Sequence, residues 1–373
     1  MKLTKFQLYS VLLILVAPVA YLETPHVLIH TLYANSWLAV LAATIPGLLL
    51  IQMYYYIIQK STQPFPLMLD EHLGKTLGRI VGAFYIPFFI LVCSYTLRLF
   101  IEFMKMNVLP ATPISVFIGV LLLVGFVAIK TGLPNIARVL EPTVLVGLSF
   151  SIIILLIALF NNFHLDRILP IGYMNYKSFG EATLITTFVL GKMMPVLSLA
   201  FFLDNKRNSQ PLMRYVLLTF IPLITLTTMT IIITRGILPA LSLTFPLFST
   251  IRLARIGAFI QNLDIFFVAI WILGIFGAVT IPWFMTCYVT QQVFNLRDYR
   301  FVAAPTSILI GFLSILISRN NLEILIWSHT LIPLVYDLFF IVIPFVLFVI
   351  VLFKPYPLTN STEPAHKVEP PPA

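Results

Sequence analysis

The sequence predicts an all-α integral membrane protein of about ten transmembrane helices, and three observations carry that prediction. Sixty per cent of its 373 residues are hydrophobic and only 10% are charged, against about 25% charged in an ordinary soluble domain. The apolar residues fall in runs long enough for helical crossings, which need about 20 residues each. Two stretches, 142–165 and 265–296, contain no Asp, Glu, Lys or Arg. Such a composition cannot cover a water-facing surface.

The crossings are expected near 6–32, 36–59, 80–103, 113–130, 140–161, 181–203, 214–235, 263–291, 301–318 and 327–353. The first apolar run starts at Phe6 behind Lys2 and Lys5 and superficially resembles a signal peptide. No small-residue cleavage site follows it, so it is read as a retained span. Residues 1–353 form one permease-like membrane domain. The tail 354–373 is polar, ends in Pro370-Pro371-Pro372, and is expected to be a disordered cytoplasmic extension. Of the long connections, 236–262 carries Arg252 and Arg255 among apolar residues and is expected to lie along the interface as a short amphipathic helix.

The net charge of +9 does not point to nucleic acid, because the basic residues are scattered through short loops and form no stripe or arm. They read as anchors at the membrane surface. With Lys2 and Lys5 inside, alternation puts fourteen basic residues on the cytoplasmic side and eight outside, Arg98 among the outer ones. Lys192 is left within a span, completing the 23 Lys and Arg of the chain. The bias predicts that both termini are cytoplasmic. Cys93 and Cys287 both lie in apolar runs and imply no disulfide framework.

Two spans carry helix-breaking chemistry. The first reaches Ala17-Pro18 and restarts at Thr24-Pro25, where Thr suits an N-cap and Pro a first helical turn. In the sixth, Gly191-Lys192-Met193-Met194 precedes Pro195. The first span runs outward and the sixth inward, as in an inverted five-plus-five repeat with discontinuous helices 1 and 6 meeting near the midplane. The repeats would cover about 1–165 and 166–353. Half-helix N-termini exposed there would favour an anionic group such as a carboxylate. A ligand pocket is therefore expected from Pro18, Val19, Ala20, Tyr21, Glu23 and Thr24 on the first span and from Gly191, Lys192, Met193 and Met194 on the sixth. Tyr95 on the third span and Thr280 on the eighth join them by depth.

Lys192 divides a 22-residue stretch otherwise free of charge between Glu181 and Asp204. Charges inside spans usually face the protein interior, and Glu23 is its expected partner across the cavity. Asp337 is expected to pair structurally near the outer end of the last span. Glu23, His26 and His30 share a helix face at a spacing that suits zinc. With no second ligand cluster to complete the sphere, they read as a polar stripe in the outer vestibule, so no metal is assigned. No P-loop, dinucleotide fingerprint, Ser-His-Asp set or HExxH motif is present. No cofactor and no enzyme activity are expected.

The residues Phe245-Pro246, Ile251-Arg252 through Ile256, Phe259-Ile260-Gln261-Asn262-Leu263-Asp264 and Trp271 resemble the signature of the spore germination permeases. The stretch Asn35-Ser36-Trp37-Leu38-Ala39-Val40-Leu41-Ala42 resembles the start of that family's second span. Two positions depart: the family usually has arginine where Asn262 stands, and glycines in the first span where this chain has Pro18 and Ala20. The resemblance implies the fold of the amino acid–polyamine–organocation transporters. It also implies the B subunit of a nutrient germinant receptor in the spore inner membrane, sensing an amino acid or sugar beside an A subunit and a lipoprotein C subunit. A proton- or cation-coupled amino-acid permease and a non-binding scaffold are the alternative expectations.

Overall fold

The computed structural model describes residues 2–255, 262–318, 323–324, 327 and 330–353. The tail from Lys354 and the motif positions Ile256, Phe259, Ile260 and Gln261 lie outside the described residues. Among the described residues the regular structure is entirely helical, and nine segments are long and apolar enough to cross a bilayer.

The first segment, Lys5–Lys60, has 56 residues, about 84 Å if it were one straight helix. A hydrocarbon core is only about 30 Å thick, so this segment must fold back. It does so at Tyr33, whose backbone (φ 53°, ψ −128°) leaves helical geometry. The two passes are α1 (Lys5–Leu32), then α2 (Ser36–Ala42) continued by α3 (Thr44–Lys60). A short helix, α4 (Leu67–Leu73), leads to the third pass, α5 (Lys75–Asn107). The fourth and fifth are α6 (Ile114–Thr131) and α7 (Leu133–Asn161). The sixth is composite: α8 (Tyr176–Leu190), a 3-10 turn at Gly191–Met193, then α9 (Val196–Leu199). The seventh pass is α10 (Ser209–Arg235). Two short helices follow, α11 (Ile237–Ser242) and α12 (Pro246–Ile251), before the eighth and ninth passes, α13 (Leu263–Phe294) and α14 (Ala303–Leu316). The last pass is α15 (Leu331–Asp337), a π-helical turn at Leu338–Val342, and α16 (Ile343–Phe353). About ten crossings are therefore present among the described residues, as the hydropathy pattern requires.

α1, α5, α10 and α13 form the buried centre, whereas α6, α7, α14 and α16 keep much of their apolar surface outward. Outward residues such as Val120, Leu123 and Ile153 face the hydrocarbon that the composition demands. Close packing at the centre needs a missing side chain: a Cβ on Gly277 would stand 2.5 Å from Ile14 Cγ2 and 2.6 Å from Leu140 Cδ2. Helix ends are closed by chain and side chain together. Thr4 and Gln7 form a reciprocal capping box at the start of α1, a device worth about 1 kcal/mol. The Lys206 ammonium donates to the carbonyls of Ile58 (3.0 Å) and Ser61 (2.7 Å) at the end of α3. Gly74 (φ +88°) and Gly236 (φ +80°) turn the chain into new helices at angles that side chains rarely adopt.

Three sequence expectations are corrected. α1 is not discontinuous: it is one helix of 28 residues with Pro18 and Pro25 inside it. Each proline removes a single N–H, the one that would serve Ile14 or Tyr21, and packed neighbours absorb the loss without unwinding the chain. The segment after Gly236 is not one amphipathic surface helix: it forms two short helices, and α12 is buried at Pro246, Leu247, Phe248, Thr250 and Ile251 and packs on α1, α7 and α10. Arg98 is not an outer surface anchor but is 2% exposed inside α5.

Candidate functional site

The 3-10 turn of the sixth pass and the π turn of the last pass lie against each other. Both depart from the α-helical hydrogen-bond pattern and release carbonyls that need other donors. Tyr54 on α3 supplies one, its hydroxyl donating to Phe340 O (2.5 Å) and standing 3.2 Å from Gly191 O. Tyr85 on α5 supplies another, donating to Phe339 O at 2.7 Å. A Cβ on Gly191 would stand 3.1 Å from Ile341 and 3.3 Å from Phe340, so glycine permits this approach. The break after Leu190 is thus held by tyrosines from the second and third passes.

Lys192 leaves that turn toward a cavity of about 210 Å³ enclosed by the first, third, sixth and last passes. Its polar walls are Glu23, Thr24, Tyr95, Lys192, Tyr336 and Asp337. The Tyr95 hydroxyl donates to Glu23 Oε1 at 3.3 Å. Lys192 Nζ lies over the Tyr336 ring, 5.6 Å from its centroid, and Tyr336 meets Tyr95 edge to face at 6.2 Å. Among the described residues Glu23 and Lys192 share this cavity without closing a direct salt bridge. One ammonium and two carboxylates thus face the same small space, which suits a ligand carrying charges of both signs.

The cavity is bounded along α5 on both sides. Toward Lys75, rings of Phe65, Tyr85, Phe88, Phe339 and Phe340 cluster, with Phe88 and Phe339 parallel at 4.4 Å and Phe65 and Tyr85 edge to face at 4.6 Å. Toward Asn107, Arg98 and Glu102 lie three and seven residues beyond Tyr95, on the same helix face. Their side chains pair at 2.6 Å and are 3% and 12% exposed.

The expected pocket residues divide. Glu23, Thr24, Tyr95 and Lys192 come together in the cavity. Val19 reaches only a narrow void on the other side of Lys192. Pro18 and Tyr21 line a separate apolar cleft. Ala20, Met193 and Met194 are packed in the core, and the Gly191 carbonyl accepts from Met194 N–H at 2.8 Å. Thr280 lines neither cavity, because its hydroxyl faces Gly125 of α6. Tyr336 and Asp337 are cavity residues that the sequence reading did not assign there; an acid inside a span was the available signal. His26 and His30 meet edge to face at 4.5 Å, and His30 Nε2 lies 3.1 Å from Leu241 O.

The signature region lies elsewhere. Phe103 of α5 is ringed by Phe245 (5.3 Å), Phe248 (5.0 Å) and Trp271 (4.5 Å). Arg252 covers the Phe248 ring at 4.6 Å, pairs with Asp264 at 3.2 Å and donates to Asn107 O at 2.8 Å. These residues fasten α12 and α13 to the end of α5 and do not touch the polar cavity.

A helical bundle with composite sixth and last passes around a charged intramembrane cavity is a multi-pass membrane protein of permease type. The comparison with known families is specific: the profile described as "Spore germination protein" matches residues 2–322. The chain belongs to that spore germination permease family. It is 27% identical over 339 residues to "Spore germination protein KB" of Bacillus subtilis (strain 168), covering 86% of this chain and 87% of that one. It is 26% identical over 363 residues to "Spore germination protein A2" of the same organism, covering 95% and 96%. "Spore germination protein YndE" of that organism is 24% identical over 318 residues, covering 79% and 81%.

Proposed function

We propose that this chain is the membrane subunit of a spore nutrient germinant receptor, sensing a small nutrient of the amino-acid or sugar class. It sits in the spore inner membrane with both termini cytoplasmic and works with an A subunit and a lipoprotein C subunit. Its ten passes are two inverted sets of five, about 1–165 and 166–353. The observation that carries the reading is the cavity of about 210 Å³ in which Glu23, Lys192 and Asp337 face one another inside the bundle of a spore germination protein.

The nutrient would bridge Lys192 and the carboxylates. In doing so it would stabilise one arrangement of the sixth-pass turn against the last-pass turn. Only a difference in affinity between two arrangements produces a signal; tight binding to both shifts nothing. The test replaces Lys192 by Met, and separately Asp337 by Asn, in spores whose response depends on this receptor. Loss of the nutrient response with normal receptor assembly is the expected result. An unchanged dose–response in both variants refutes the cavity as the sensing site.

A second reading, a proton- or cation-coupled amino-acid permease, is favoured by the facing 3-10 and π turns, since interrupted helices form substrate and ion sites in transporters. Concentrative uptake of labelled nutrient by proteoliposomes holding this chain alone would establish it. Binding without uptake supports the receptor.

A further inference from the structure

A second cavity, of about 80 Å³, lies between α1, α7 and α13 and plays no part in the charged site. Its floor is Ala17, Pro18 and Gly274, small residues that leave room where larger ones would meet. A Cβ on Gly274 would stand only 3.0 Å from Pro18. Trp271 forms one wall, and its indole N–H donates to Pro18 O at 2.8 Å. That bond holds α13 to α1 just at the proline that weakens α1.

The cleft opens toward the outer surface of the bundle. Its rim residues Gly147, Leu148, Phe150, Ser151 and Ile270 are half-buried. Their immediate neighbours Val146, Ile152, Ile153, Phe266 and Leu273 are 44–60% exposed. In a membrane-spanning chain these apolar side chains contact lipid, so the cleft is continuous with the lipid-facing surface. Within the cleft the buried Tyr21 hydroxyl sits beside the Ser151 hydroxyl of the rim and the Thr227 hydroxyl of α10 without a full hydrogen bond to either. The space is too small for a second helix. It is an apolar cleft that a flexible hydrocarbon chain can enter, and an apolar void of this kind gains dispersion contacts when filled.

We propose that the cleft between α1, α7 and α13 is a binding site for an acyl chain of a bilayer lipid, seated against Pro18 and Trp271. The chain enters between α7 and α13 over Gly147. It packs against Ala17 and Trp271, and so braces α1 at Pro18, five residues before Glu23. Lipid chain packing would thereby bear on the position of the charged cavity's first wall. This assignment does not depend on what the charged cavity binds.

The experiment uses the purified full chain in nanodiscs of phosphatidylcholine brominated at mid-chain. Trp37 and Trp327 are replaced by Phe, and the Trp271 emission is isolated by difference from the same background carrying Trp271→Phe. The expected result is strong quenching of Trp271 by brominated chains, relieved at least twofold by Gly147→Leu, which fills the mouth where Ile270 stands 3.4 Å away. Ser151→Leu, at the rim, should relieve it likewise, so one poorly folding variant does not decide the matter. Absence of quenching overturns the proposal, as does quenching unchanged by both substitutions. Quenching that disappears when partner subunits assemble gives the cleft to a partner's helix and also overturns it.

Discussion

Removing one member of the Arg98–Glu102 pair should cost far more than removing both. The two side chains are 3% and 12% exposed and their charged atoms are 2.6 Å apart, in a part of α5 enclosed by other passes. Breaking a buried pair leaves an uncompensated charge and costs about 3–5 kcal/mol, whereas replacing both partners by apolar residues of similar size is often close to neutral. For a chain this large each kcal/mol moves the melting temperature by roughly 2 °C. Glu102→Leu or Arg98→Met alone should therefore lower it by about 6–10 °C. The double variant Arg98→Met/Glu102→Leu should stay within about 3 °C of the parent. Thermal unfolding of detergent-purified protein, followed by the loss of the monodisperse size-exclusion peak, measures all four forms. Additive losses in the double variant would refute the reasoning, because the two groups would then act on other partners rather than on each other.

Further outcomes follow from the packing. Tyr54→Phe leaves the Phe340 carbonyl without its donor and should cost about 1–3 kcal/mol, read in the same melting assay, with protease cleavage rising near residue 191. Phe103→Ala empties the ring of Phe245, Phe248 and Trp271 and should cost about 3–5 kcal/mol. Arg252→Ala, whose side chain is 48% exposed, should cost about 1 kcal/mol or less. If the signature region were a ligand site, Arg252→Ala would instead abolish the nutrient response while leaving the melting temperature unchanged. Gly277→Val drives a side chain into Ile14 and Leu140 and should cost about 1–3 kcal/mol, visible as reduced yield of folded protein from membranes.

The crossings were legible in the sequence because their signal is composition over about 20 residues, which no tertiary contact can reverse. The sixth-pass interruption was legible for a similar reason: Gly191 and Pro195 bracket three residues, and both weaken a helix locally. The first pass misled because Pro18 and Pro25 are equally good helix breakers on paper. Whether a proline kinks a helix or ends it depends on what packs against it, here Trp271 from 253 residues away, and no local pattern carries that. Asp337 reads in the sequence as a structural pair near the outer end of the last span; that it lines the cavity with Glu23 and Lys192 is a tertiary arrangement no local pattern carries. Arg98 was counted as an outer anchor although Glu102 stands one turn beyond it. Opposite charges at that spacing inside an apolar run are themselves a sign of a buried pair.

The continuity of α1 decides what the cavity can select. A break at Thr24-Pro25 would have aimed free N–H groups at the ligand, and a helix dipole favours an anion there. Because α1 runs unbroken through Glu23, those N–H groups lie within the helix, and α9 has only four residues, too few aligned peptides for a useful dipole. Selection then falls to side chains: Lys192 for a negative group, Glu23 and Asp337 for a positive one. A zwitterion answers both demands, while a neutral sugar leaves the charges to water and to Tyr95 and Tyr336. It follows that Lys192→Met should weaken binding of an amino acid by tenfold or more while weakening a sugar by much less, an effect measurable by calorimetric titration of the purified chain. Equal losses for both ligands would mean that Lys192 shapes the sixth-pass turn and does not meet the ligand.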